Sequence, residues 1–277
     1  MTFRSDLFLG RFGLNPRFED TDLRLDEPVA RMIGRRVCRH YGKEAISDGL
    51  LETLLAAAQS APAKSDLQQY SIVIADKDQQ QAVSDMIGSM PWIADASRFL
   101  VFCADMHRGQ RVAEIRGHEY ANNTLDTFMN AAVDASIAMM SLITAAGFKG
   151  LGTCPVSAVR AHTAAICDLL GLPKGVFPVA GLTVGYPTDD GRFTLRLPSS
   201  VVVHHGKYDD SNLDTELKAY DARRNQVQPI QPEKQMHQDD FGVADDYGWT
   251  ENTARRLAKR ERAEFGAFIR AHGFDLE

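Results

Sequence analysis

Leu125, Phe128, Met129, Ala132, Val133, Ser136, Met139, Met140 and Ile143 recur at three- and four-residue spacing, which predicts one long helix from Leu125 to Ala146. The positions between them are mostly Ala, Ser and Ile. A helix apolar nearly all round is expected to be buried. Asp126, Asn130 and Asp134 interrupt the run and argue against a membrane span. Gly147-Phe-Lys-Gly-Leu-Gly152-Thr-Cys-Pro155-Val then reads as a glycine-rich exit loop, and a second helix carries Arg160 in its first turns. Such a loop can set a flat ligand against backbone at a fixed depth. A core helix followed by an ordinary loop has the same pattern.

Elsewhere the chain alternates helical and extended signals. Residues 1–25 show no period and read as an extension draped over the surface or over a partner subunit. Asp26-Glu27-Pro28 is a capped helix start, and that helix runs to about Ile33. A helix is predicted from Ser47 to Gln59, with Ser47 as its cap and Leu50, Leu51, Leu54, Leu55 and Ala58 on one face. Ser71–Asp76 and Arg98–Asp105 are predicted strands; the second is a nearly continuous apolar run, as expected of a central strand. Asp78–Ser89 is read as helix, and Met106–Asn123 as a polar helix or mobile excursion. His162–Leu170 is helical, and Val176–Pro187 is a strand closing in a Gly/Pro turn. Phe193–Pro198 is extended, Val201–His204 a short strand and Leu213–Arg224 a helix. Residues 225–248 read as a long excursion, and Trp249–His272 as one final charged helix. Helices alternating with three or four strands imply an α+β layered fold.

Composition narrows the classes. With 277 residues and 44% hydrophobic content the chain can fill a substantial core. A net charge of -6 gives no global attraction to nucleic acid or to an anionic membrane. Cys38, Cys103, Cys154 and Cys167 are scattered, with no metal spacing and no disulfide framework. His204-His205 would point to opposite faces of a strand, so no metal site is assigned. Met-Thr-Phe-Arg-Ser-Asp lacks the apolar run of a signal peptide, and a cytoplasmic protein is expected. No Gly-x-Gly-x-x-Gly follows the first strand, and no P-loop or Gly-x-Ser-x-Gly appears. Arg35, Arg36 and Arg39 stand before the 47–59 helix. They are either a solvated basic patch or an anion site suited to phosphate.

Several stretches, taken in order, resemble the FMN-dependent nitroreductase family. Arg35-Arg36-Val37-Cys38-Arg39-His40-Tyr41 is similar to its arginine signature, and Ala61–Tyr70 to its Ala-Pro-Ser-Ser-x-Asn-x-Gln loop. Gly150–Arg160 resembles its glycine-rich turn, and Phe177–Pro187 its Pro-Val-x-Gly-Leu strand. Phe99–Asp105, Arg196-Leu-Pro198 with Val203-His204, and Tyr247-Gly-Trp249-Thr look closest to the NADPH-preferring nitroreductase and flavin reductase subgroup. The resemblance runs from about Arg35 to Phe274.

It implies a three-layer sandwich with a central sheet, flanking helices and a long buried central helix at a homodimer interface. By segment, it implies an N-terminal extension over 1–25, an FMN-binding domain over 26–210, and a C-terminal excursion and helical arm over 211–277. The cofactor contacts it implies are Arg35, Arg36, Val37, Arg39, Pro62, Ala63, Lys64, Asp66, Gln68, Pro155, Val156, Ser157, Ala158, Thr194 and Arg196. No catalytic side chain is required beyond the flavin, with Arg39 the candidate stabiliser of its reduced form and Lys64 second. The implied chemistry is ping-pong: NADPH or NADH gives a hydride to flavin N5, and a small planar acceptor (nitroaromatic, quinone or free flavin) then takes two electrons. Reductive dehalogenation or flavin breakdown on the same fold is the alternative. The chain departs from the pattern at Ala63 and Lys64, where the family has small hydroxyl residues, and at Thr194, where a lysine is common. Asp239, Asp240, Asp245 and Asp246 lie in the segment where phosphate-recognising basic residues are expected, which disfavours the extra phosphate of NADPH.

Overall fold

The computed structural model describes residues 4–16 and 26–277. The remainder of the expected N-terminal extension lies outside the described residues. In chain order the elements are α1 (Arg4–Phe12), α2 (Glu27–Ile33), α3 (Asp48–Gln59), β1 (Tyr70–Ala75), α4 (Lys77–Ile87), α5 (Trp92–Asp95), β2 (Arg98–Asp105), α6 (His107–Arg116) and α7 (Leu125–Phe148). They continue with β3 (Gly152–Val156), α8 (Thr163–Leu170), β4 (Val176–Gly185), α9 (Ser199–Val202), α10 (Leu213–Val227), α11 (Gln238–Phe241), α12 (Trp249–Leu257) and α13 (Phe265–Ala271). Two compact units result: residues 36–191 with 262–277, and residues 1–35 with 192–261. The three segments read from the sequence are a different partition.

The larger unit is built on an antiparallel sheet of order β1-β2-β4-β3. β2 is central, as its apolar run predicts, and every residue from Phe99 to Asp105 is buried. One face packs Leu100, Phe102, Leu182 and Val184 against α3 and α7 through Leu51, Leu54, Ala135, Ala138 and Leu142. The other packs Phe99, Val101, Cys103 and Val156 against Val83, Ile93, Val159 and Ile166. Helices therefore cover both faces, giving the three-layer sandwich. A third cluster joins Ala131 of α7 and Phe177 of β4 to Ile269 and Phe274 near the C-terminus.

Local sequence sets the helix starts. The Asp26 carboxylate accepts the Val29 N–H at 3.0 Å, Ser47 accepts Leu50 N–H at 3.3 Å, and Asp76 forms a reciprocal capping box with Gln79. Thr124 caps α7 through the Thr127 N–H at 3.3 Å. α7 is the one helix among the described residues long and apolar enough to cross a membrane by length and composition, and here it is packed on the sheet.

Five expectations need correction. α1 forms inside the stretch read as aperiodic; Leu7 and Arg11 are its buried residues. The 152–156 stretch is a strand rather than part of a loop. Among the described residues it pairs as a strand with β4 alone, so Pro155 sits on a sheet edge, where the missing N–H is tolerated. Val201–His204 is not a strand: Val201 N–H bonds Pro198 O and Val203 N–H bonds Ser199 O, closing the helical turn α9. The expected single C-terminal helix is broken into α12 and α13, with Arg262 left-handed at φ 52° between them, and the two helices belong to different compact units. Finally, α7 is not buried all round. The stripe that packs inward is Ala131, Asp134, Ala135, Ala138, Leu142, Ile143 and Ala146. Leu125, Met129, Val133 and Met140 are 43–60% exposed in the single chain.

Candidate functional site

The arginine segment is laid on the sheet edge by backbone bonds. Cys38 N–H donates to Thr153 O of β3 at 3.0 Å, Gly42 N–H to Tyr186 O at 2.8 Å, and Thr188 N–H to His40 O at 3.1 Å. The Tyr41 hydroxyl donates to Cys38 O at 2.8 Å and lies 2.7 Å from Thr183 Oγ1. Burial pushes this phenol well above its ordinary range. Two motif glycines make the fit possible. A Cβ on Gly152 would lie 2.5 Å from Cys38 Cβ and Sγ, and one on Gly185 would lie 2.7 Å from the Tyr41 ring. Arg36, Val37 and Arg39 are thereby held alongside β3, the strand that leads into the 155–158 turn. Arg36 Nη1 donates to Asp190 O at 2.8 Å, and the exposed Arg39 guanidinium lies 5.8 Å from the Trp92 ring centroid. His40 Nδ1 meets Asp189 Oδ2 at 2.5 Å; this contact, first among the causes, holds the Asp189 carboxyl below its usual range.

In the 155–158 turn, Pro155 and Ser157 are exposed and Ala158 half-buried, while Val156 is 1% exposed and packs into the core. Val156 therefore offers only backbone. The Arg160 guanidinium donates to Val179 O, tying the following 3-10 turn to β4.

The 62–68 loop is compact and strained. Lys64–Asp66 is a 3-10 turn, and Ser65, Asp66 and Gln68 have φ of 51°, 58° and 49°. Non-glycine residues in that region cost free energy and tend to gather at functional sites. Pro62, Lys64, Asp66 and Gln68 are exposed, Ala63 half-buried, and Gln68 Nε2 donates to Asp66 Oδ1 at 3.0 Å. The loop is held from beneath by Asp134 of α7 and from the side by Arg108 of α6. Gln69, next in sequence, is buried, and its Oε1 has no hydrogen-bond partner.

Arg35, Thr194 and Arg196 lie in the other unit. Buried Arg11 of α1 organises them: it donates to Ile33 O at 2.8 Å, to Thr194 O at 3.2 Å and to Arg35 O. Arg196 N–H returns a bond to Arg11 O at 2.8 Å. Leu195 is buried between exposed Thr194 and Arg196, and its carbonyl accepts from the Tyr220 hydroxyl at 2.9 Å. Sequence reasoning missed the roles of Arg11, Arg108 and Asp134; Asp134 stood out only as a break in the apolar run, and Arg11 and Arg108 fall where local pattern calls for nothing in particular. His204 is committed to its own loop, where Nδ1 accepts the Asp209 N–H at 3.2 Å. No group of three or more potential metal ligands occurs among the described residues.

Comparison with known proteins agrees with this architecture. Residues 32–186 match the nitroreductase family model, and residues 195–277 match the model for the nitroreductase family C-terminal domain. The chain is 34% identical over 207 residues to an FMN reductase (NAD(P)H) of Bacillus subtilis, covering 73% of this chain and 83% of the relative. It is 33% identical over 197 residues to an oxygen-insensitive NADPH nitroreductase of Salmonella typhimurium, covering 70% and 80%. The solved structure of B. megaterium NfrA2 superposes with a TM-score of 0.82 at 32% identity, covering 91% of this chain and all of that one. The chain belongs to the nitroreductase family.

Proposed function

We infer that the chain is an FMN-dependent NAD(P)H oxidoreductase of the flavin reductase and nitroreductase type. The observation that carries this is a set of groups on one sandwich: the arginine segment on the edge of β3, exposed Pro155 and Ser157 at the end of that strand, and a strained loop beside the buried, unpartnered Oε1 of Gln69. Their chemistry suits FMN. Guanidinium forks match a phosphate, loop amides and an amide oxygen match ribityl hydroxyls, and exposed backbone matches a flat ring. When bound, FMN supplies hydride acceptance from NAD(P)H and two-electron delivery to a nitroaromatic, a quinone or free flavin in alternate half-reactions.

The chain's own residues bind and orient. Arg35, Arg36 and Arg196 carry the guanidinium groups that would bind the FMN phosphate. Val37, Pro62, Ala63, Asp66, Gln68, Thr194 and Pro155–Ala158 would hold the rest of the cofactor. Arg39 would supply positive charge to stabilise the reduced cofactor, with Lys64 the second candidate. The open face of α7, a groove of about 460 Å³ lined by Leu125, Phe128, Met129, Ala132, Val133, Ser136, Ile137 and Met140, supports a homodimer. The reading includes a soluble cytoplasmic location and a division into a cofactor domain over 26–210 with flanking arms. Dehalogenation and flavin breakdown are not favoured, since the relatives are named as reductases. Both NADH and NADPH are donors in this reading, and the acidic residues 239, 240, 245 and 246 weigh against the extra phosphate.

The test is the visible spectrum of protein purified with FMN, before and after anaerobic NADH and then NADPH. A yellow protein bleached by either donor is expected, and the faster donor names the preference. Colourless protein that takes up no added FMN overturns the assignment.

A further inference from the structure

Asp134 is 2% exposed, on the stripe of α7 that packs against the core. Its neighbours on that stripe are Ala131, Ala135 and Ala138, so an alanine would fill the position as well. A carboxylate buried there is costly unless its oxygens are bonded. The bonds it makes reach the two ends of one loop: Oδ1 accepts the Lys64 N–H at 3.0 Å and Oδ2 accepts the Gln69 N–H at 3.2 Å. Between those two amides lie Ser65, Asp66 and Gln68, all three left-handed. From the other side Arg108 Nη1 donates to Gln68 O at 2.7 Å and Tyr70 O at 3.1 Å. Arg108 is itself held by Asp105 Oδ2 at 3.1 Å and Ser71 Oγ at 2.8 Å.

We propose that Asp134 is a positioning residue for the cofactor, its carboxylate gripping the amides of Lys64 and Gln69 so that the strained 64–69 loop is set for binding before the flavin arrives. The proposal rests on the FMN reading above. The strain supplies its logic. Three residues in a disfavoured region would relax if the loop were free, and each cofactor molecule would then have to restore them. Charge-assisted acceptors on both ends remove that cost in advance. Arg108 does the complementary work on the carbonyls of the same turn. Neither residue touches the cofactor in this account.

Two measurements on Asp134→Asn and Asp134→Ala test it. Asn is nearly isosteric but sets an NH2 group against one loop amide. Amide exchange on cofactor-free protein reads the grip directly: Lys64 and Gln69 should exchange at least tenfold faster in Asp134→Asn, with Leu100, Val101 and Phe102 of β2 still protected. FMN titration should then show the dissociation constant raised about tenfold in Asp134→Asn and further in Asp134→Ala, with the far-UV spectrum of the apoprotein unchanged. Wild-type exchange rates at both loop amides, or an FMN dissociation constant within twofold of wild type, overturn the proposal. Should Asp134→Ala fail to fold, Asp134→Asn decides. Wild-type protein that binds no FMN sinks the flavin reading and the cofactor role with it, while the exchange data still report separately on the grip.

Discussion

Gly152 and Gly185 have no side chain because Cys38 and Tyr41 occupy the space where one would be. The glycine motif and the arginine motif are thus two sides of one contact, and that contact is what lays Arg36 and Arg39 along β3. Tyr41, Cys103 and Cys167 share a consequence of such tight packing. Burial raises all three above their ordinary values, with Cys167 pushed up to about 11 from 9.0 and neighbouring Asp168 adding to it. The sign follows from proton binding. Above pH 9 an unfolded chain releases the Cys167 proton while the folded chain keeps it, so this contribution is fully present below 9 and lost as pH rises toward 11. Thermal melts should therefore show Tm falling between pH 9 and 11, and Cys167→Ala should flatten part of that fall while costing about 1 kcal/mol at pH 7. A slope unchanged by the substitution would remove Cys167 from the account. None of these pairings was legible in the sequence, since Cys38 and Gly152 are far apart in the chain and only the fold makes them neighbours.

At the scale of elements, α7 shows what periodicity can and cannot say. Its existence and start were legible from the apolar spacing, and the Thr124 cap is what the structure adds. Which side faces the core was not, because a helix apolar nearly all round has no polar face to orient it. Over its first half the packed side is the one with the small residues. Ala131, Ala135 and Ala138 let the helix approach α3 and the sheet closely, and the bulkier Met129, Val133 and Met140 were left outside. In the proposed homodimer that open stripe is the interface. Val133→Glu is expected to leave the monomer folded and to weaken self-association at least tenfold, as read by sedimentation velocity across a concentration series. An undiminished dimer would move the interface elsewhere. β3 was missed for a related reason. Gly and Pro lower strand propensity, and the pairing with β4 overrides it.

For the molecule as a whole, the chain leaves the sandwich at residue 192 and returns to it at 262. The returning end is a core component. The Phe274 ring lies 5.3 Å from that of Phe177 and 5.5 Å from that of Phe128, both edge-on, and Phe274 is 1% exposed. Phe274→Ala should cost about 3–5 kcal/mol in urea unfolding. A loss under about 1 kcal/mol would show the tail to be dispensable. The break between α12 and α13 falls where the chain passes from one compact unit to the other, so the charged run read as continuous is divided between them. The long stretch before it has its own anchor. Arg255, 3% exposed, donates to Met236 O and Gly242 O and meets Glu251.

By itself the sequence determined what depends on a few neighbouring residues: the caps at Asp26, Ser47 and Asp76, the helices they start, the central place of β2, and the run of motifs that marks the family and its cofactor. Hydrogen bonds and side-chain packing within one or two turns are enough to specify these. Only the tertiary structure decided which face of α7 is buried, that β3 is a strand, that α1 delivers Arg11 to Arg35 and Thr194, and that Asp134 reaches the loop at 64–69. Those outcomes take their free energy from contacts between segments tens of residues apart, and no local pattern records which distant partner a buried charge will meet.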